Sequence, residues 1–181
     1  LLAQATRGPP RPPLIKRLEP LGRPETDEVR CFAMSELGSG LFYAEQYEGA
    51  LSVREAQLSL VRRLGTTENN ILGVQGNLAN LYSRLGRHEE SLRIEREMYA
   101  RRVELYGTNE DTLTAAGNLA SCLVDTLQQY DEAKAFLRDR IPKAIRVLGQ
   151  DHGITFVLRR MYAQCLYQND GASRDDVTAA I

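Results

Sequence analysis

Asn77 and Asn118 stand 41 residues apart in the same local sequence, Gly76-Asn77-Leu78-Ala79 and Gly117-Asn118-Leu119-Ala120. A carboxamide carries both donors and an acceptor, so it can hold a peptide bond without demanding a particular side chain. It can equally cap or bridge helices of its own chain. Asn80 and Ser121 follow three residues after each asparagine and add further polar groups at equivalent places. Catalysis finds much less support. The two histidines, His88 and His152, have no Ser, Cys or carboxylate recurring beside them as nucleophile and base. Leu37-Gly38-Ser39-Gly40 is not a nucleophile elbow, and no glycine-rich stretch matches a phosphate-cradling loop. Cys31, Cys122 and Cys165 are odd in number with no C-x-x-C, which excludes a complete disulfide framework and zinc-ligand spacing and favours a reducing compartment. No catalytic residue, cofactor or metal is expected.

The elements that must position these amides are set by a chain of 181 residues, 43% apolar, with 23 Lys+Arg against 24 Asp+Glu. That is one domain of ordinary size with a continuous core. A net charge of -1 supplies no bulk attraction to nucleic acid or anionic lipid. Arg93, Arg96 and Arg101 could form a local basic patch, but Glu95, Glu97 and Glu104 are interleaved among them as an ordinary solvated face, so no nucleic-acid partner is expected. Arg, Glu, Asn or Gln interrupts every apolar run well short of the roughly 20 residues a spanning helix needs, so membrane insertion is not expected either.

From about Arg30 onward the chain repeats. Gly65, Gly107 and Gly149 are spaced by 42 and 42 residues, each after an apolar, basic helix end and before Thr, Asn or Asp suited to capping the next helix. A weaker break falls near Tyr47-Glu48-Gly49, Gly86-Arg87-His88 and Gln129-Tyr130-Asp131, so each repeat holds two helices. The first helix of each pair (helix A) is expected at roughly 30–45, 69–85, 110–127 and 154–168, and the second (helix B) at roughly 48–64, 89–106 and 131–148. No segment alternates with period two. The predicted fold is all-α, a right-handed solenoid of antiparallel helix pairs.

Small residues recur at Gly38, Ala79, Ala120 and Ala163 in helix A, and at Ala50, Ser91 and Ala133 twelve or thirteen residues later in helix B. Such pairs let the two helices cross closely, while Leu41, Tyr82, Leu123 and Leu166 fill the adjacent space. Cys122 and Cys165 share the helix A position of Leu81, which reads as buried packing. Arg62-Arg63 and Arg101-Arg102 are placed in last turns of helix B, and Glu89-Glu90 and Asp131-Glu132 in first turns, where each sign suits the helix dipole. Pro142 falls inside the third helix B and should bend it and widen the groove there.

With its long repeats and the Leu148-Gly149-Gln150-Asp151-His152 turn, the sequence from about residue 30 to 181 resembles a tetratricopeptide-repeat array of the kinesin-light-chain-like type. Gly153 stands where that family usually has Pro, and the heptad region of a motor light chain is absent from these residues. The resemblance implies that the A helices line a concave groove and that asparagines at the places of Asn77 and Asn118 hydrogen-bond the backbone of an extended peptide. The equivalent places at the ends of the array hold Glu36 in the first repeat, and Arg160 and Met161, beside Arg159, in the fourth. Arg159 and Arg160 would favour an acidic or carboxylate-bearing segment there through bidentate contacts. A solvated helix edge is the other reading of the two arginines.

Residues 1–29 read as a Pro/Arg-rich extended leader or linker before a repeat domain of about three and a half repeats over 30–181. Arg7, Pro10 and Pro13 have the spacing of a proline-motif ligand, and the basic, acid-poor composition also suits a remnant of an organellar transit segment. Leu1 in place of Met suggests a fragment or a processed product, and Asp170–Asp176 reads as the start of an unfinished fourth helix B, to be followed by further repeats or covered by another subunit. The expected function is a non-catalytic adaptor, cytoplasmic, binding a protein or peptide in the concave groove. The alternatives are a structural subunit docked into a larger assembly through its helical ends and convex face, and an accessory domain of an enzyme.

Overall fold

The computed structural model describes residues 24–169. The prolines up to Pro20, the Arg7-Pro10-Pro13 spacing and the expected helix start at Asp170–Asp176 lie outside the described residues. Within them run α1 (Pro24–Tyr43), α2 (Tyr47–Arg63), α3 (Glu68–Arg84), α4 (His88–Tyr106), α5 (Glu110–Ser121), α6 (Tyr130–Leu148) and α7 (Gly153–Asn169), with a π-helical turn at Cys122–Thr126. No strand occurs among the described residues, and none of the described helices is long and apolar enough to cross a membrane.

The helix boundaries follow from punctuation. Gly65, Gly107 and Gly149 take φ of 61°, 64° and 97°, the left-handed region that ends helix B. Glu45, Gly86 and Gln128 do the same after helix A, at 59°, 73° and 54°. Asn109 caps α5 by accepting the Thr112 amide at 2.8 Å, whereas Thr67 makes no side-chain cap, and at α7 it is His152 Nδ1 that receives the Ile154 amide at 3.3 Å. Among the described residues helix α1 spans Pro24–Tyr43, so helix is present well before the expected residue 30.

Consecutive helices pack in chain order, so each hairpin buries its apolar face on the next. The small residues mark the closest crossings: Ala50, Ala79, Ala120 and Ala133 are buried, and the Ser91 hydroxyl donates to the Ala79 carbonyl at 2.8 Å. Leu81, Cys122 and Cys165 are all buried at their shared helix A position. Burial pushes both thiols up, Cys165 to about 11, so they are packing residues. One apolar cluster joins α2, α3 and α4 around Leu72, Leu78 and Met98. A second joins α4 to α7 around Leu123, Leu137 and Leu158.

The third repeat carries one residue more than the others between its small positions, Ala120 to Ala133 against Ala79 to Ser91. The extra residue is absorbed in helix A. At the end of that helix the Gln46 amide reaches the Leu41 carbonyl and the Arg87 amide the Tyr82 carbonyl, but in the third repeat it is Gln129 that reaches Leu123, one residue further, after a π turn closed by Leu127 on the Cys122 carbonyl at 3.0 Å. Helix α6 in turn runs from Tyr130 to Leu148 through an exposed Pro142. Arg101 and Arg102 also differ from expectation, since α4 continues to Tyr106 and Arg101 instead pairs with Glu68 of α3 at 2.7 Å.

Gln128 holds a left-handed conformation that a side chain disfavours and that Gly86 occupies freely in the second repeat. Gln128→Gly is expected to raise stability by about 0.5–1 kcal/mol, or roughly 2–4 °C in thermal midpoint for a chain of this length, measured by circular dichroism melting.

Candidate functional site

Helices α1, α3, α5 and α7 are the first helices of their repeats, and clefts open between neighbours over a floor made by the second helix. Between α1 and α3 the floor is α2, with Arg54 and Gln57. Between α3 and α5 the floor is α4, and the cavity there has a volume of about 440 Å³. Asn77 and Asn80 line both clefts, Asn118 lines the second, and Ser121 lies on its α5 wall. Four of the seven sequence-predicted residues thus share one cavity.

Asn77, Asn80 and Asn118 are exposed, and among the described residues none of their side chains hydrogen-bonds another protein group. The alternative role of capping or bridging their own helices is therefore not what these amides do here. Ser121 is engaged: its hydroxyl donates to Asp125 at 2.9 Å, and Gln164 of α7 approaches the other oxygen of the same carboxylate at 3.5 Å. Glu36 is exposed on α1, close enough to Arg54 to favour its charged form. Arg160 is exposed on α7 and Arg159 half-buried, its Nε without a partner. Neither lines the two clefts that hold the asparagines.

The floors are what sequence reasoning passed over. Counting four residues from the small position of each helix B gives Arg54, Glu95 and Leu137. Arg54 is buried, and its guanidinium donates to Ser39 Oγ at 2.8 Å, Gln57 Oε1 at 2.7 Å, and Ser35 through both Oγ at 3.4 Å and the carbonyl at 3.1 Å. A Cβ on Gly38 would lie 2.7 Å from Arg54 Nε, so glycine stands at that small position because the guanidinium passes directly over it. Leu137 is fully buried in the third repeat, with Ala144 beyond it, and there α5 and α7 pack directly together. Over α4 the floor is polar. Glu95 turns into the cleft, one carboxylate oxygen buried without a partner, and Arg102 lies two turns further along. Burial raises the Glu95 carboxyl to about 7, opposed only partly by Arg102. A floor of two ionisable groups resists the closure that Leu137 and Ala144 allow.

Glu95 is thus not the solvated charge that its neighbours suggest. The other charges of that run do pair across the surface: Arg93 with Glu97 at 3.0 Å, Arg96 with Glu132 at 2.6 Å, and Arg101 with Glu68 and Glu104, both at 2.7 Å. The signal in the sequence was the helix B column itself, where two polar residues stand against one leucine.

Residues 70–144, spanning most of α3 to α6, match the tetratricopeptide-repeat family. Two crystal structures of a kinesin light chain of Podosopora anserina with nearly identical TPR-like repeats, one of them a single-substitution variant, have this fold. Their TM-scores are 0.70 and, for the variant, 0.69, each at 18% identity over 92% of this chain and 76% of theirs. BtubC (BKLC) of P. vanneervenii is similar at a TM-score of 0.59 and 16% identity, over 84% of this chain and 68% of its own. No curated protein matches the sequence. The fold is that of kinesin-light-chain-like tetratricopeptide arrays.

Three variants test the floor. Gly38→Ala should cost about 1–3 kcal/mol by driving the Arg54 guanidinium from its acceptors, and Arg54→Leu on that background should recover part of the loss, measured by urea unfolding. For Glu95, the folded carboxyl keeps its proton to higher pH than the unfolded one, so its contribution is full below the ordinary value of 4.5 and is lost as pH rises through about 7. Between pH 4.5 and 8 the unfolding free energy of Glu95→Gln should therefore gain on that of the wild type by about 1–3 kcal/mol; an unchanged difference would place the carboxyl in water.

Proposed function

We propose that this tetratricopeptide-repeat chain is a non-catalytic adaptor that holds an extended or helical segment of a protein partner in the clefts between its first helices, with Asn77, Asn80 and Asn118 as the hydrogen-bonding groups. The observation that carries this reading is that three exposed carboxamides on two neighbouring first helices surround one cavity and, among the described residues, make no bond to their own protein. A solvent-facing amide loses little by remaining free in water. Three of them rimming one cleft, two at the repeat spacing, offer a row of paired donors and acceptors matched to a peptide backbone.

Repeats of this family generally mediate protein–protein interaction, and the related folds are typically non-catalytic scaffolds, which supports the same reading. Phe42 and Tyr43, on the α1 side of the first cleft, add apolar surface that a partner side chain can cover.

The double variant Asn77→Ala/Asn118→Ala removes two of the three amides while leaving the packing untouched. Binding to the partner isolated from native extract is expected to weaken about 10–100-fold, with far-UV circular dichroism unchanged, since each lost hydrogen bond is worth about 1 kcal/mol. Wild-type binding by the double variant would move the interaction to the convex face or the helical ends and favour a docked structural subunit.

A further inference from the structure

We infer that the cleft between α3 and α5 takes a lysine or arginine side chain of the bound segment, which pairs with Glu95 on the floor while Asn77 and Asn118 hold the backbone beside it. This rests on the groove reading above and names the chemistry of its occupant.

Three observations point to a cation. First, in the column to which Glu95 belongs the other two side chains are complete: Arg54 is saturated by Ser35, Ser39 and Gln57, and Leu137 is buried in the apolar core. Glu95 alone is left open, with one oxygen buried and unbonded over a cavity of about 440 Å³. A buried acceptor without a donor is costly, and a ligand that supplies the donor recovers that cost. Second, the volume is in the range of ligand sites rather than of a single ordered water. Third, the walls supply neutral polar groups, Asn77, Asn80 and Ser83 from α3 and Asn118, Ser121 and Thr126 from α5 and its π turn. None of these competes with Glu95 for a positive charge.

The charges around Glu95 are few. Helix α3 contributes no titratable side chain to this cleft, the α5 side contributes Cys122, whose thiol is held up by burial and by Glu95, and α4 contributes Arg102. Seven residues of helix separate Arg102 from Glu95, about 10 Å of rise, so the cleft has a negative end near Ser91 and Cys122 and a positive end near Arg102. A basic side chain therefore enters at the Glu95 end. Such a pair forms in a partly desolvated site, where a charge-assisted hydrogen bond is stronger than at the open surface.

A phage-displayed random dodecapeptide library lacking histidine, selected on the purified full chain at pH 8, tests this. Enriched peptides should share a Lys or Arg at a fixed position, and a synthetic copy should bind Glu95→Gln at least tenfold more weakly than the wild type. Its affinity for the wild type should rise about tenfold from pH 6 to pH 8 as the Glu95 carboxyl ionises, and stay flat for Glu95→Gln. Enriched peptides carrying an acidic residue instead, or basic peptides that bind Glu95→Gln as tightly as the wild type, would overturn the inference. If those same peptides still lose affinity for Asn77→Ala/Asn118→Ala, the groove reading stands without it. Failure of the wild type to enrich any peptide would remove both.

Discussion

The close crossing of the two helices within each repeat is the constraint from which the rest follows. At Ala79 and Ser91 the backbones come near enough for a hydroxyl to reach a helical carbonyl at 2.8 Å, and Ala50, Ala120 and Ala133 are buried at the corresponding crossings. A larger side chain at any of these places would push the hairpin apart and change the angle at which the next repeat is laid down. Because each repeat contacts only its neighbours, that angle is set locally and repeated along the array. The positions of α3 and α5, and hence the width of the cleft between them, are consequences of how α4 crosses its partners.

Given that geometry, the residue four places beyond the helix B small position decides the fate of each cleft. Leu137 lets α5 and α7 close onto an apolar floor. Arg54 fills its own floor by bonding Ser35 and Ser39 on α1 and Gln57 on its own helix, and forces glycine at position 38. Glu95 does neither, and the cleft above it stays open and polar. A single column thus produces a sealed repeat, a self-satisfied repeat and a repeat with unfilled bonding capacity. Desolvation is the reason: an apolar side chain gains by closure, while an unpaired carboxyl loses by it.

The fold itself was almost wholly legible from the residues. Helix boundaries depend on neighbours within a few positions, so the glycines at 65, 107 and 149 and the small-residue column placed the helices from α2 to α7 within a few residues of their observed ends. Even the π turn left a trace, in the thirteen-residue step of the third repeat, although its place in helix A was settled by where the extra residue could be absorbed without disturbing the Ala120–Ala133 crossing.

The candidate site was legible only in part. The amides at 77 and 118 stood out because they recur with the repeat, and recurrence is a property of sequence. Glu95 did not stand out, because among Arg93, Arg96 and Glu97 it looks like one more solvated charge. Its burial depends on where two helices of neighbouring repeats come to rest above it, a long-range relation that no local pattern encodes. Arg159 and Arg160, which read as the charged end of a groove, stand on α7, a repeat beyond the clefts that the asparagines line. Composition and spacing determined that this chain would be a stack of helix hairpins with a recurring row of amides; only the packing of one hairpin on the next decided which charge would be drawn out of water.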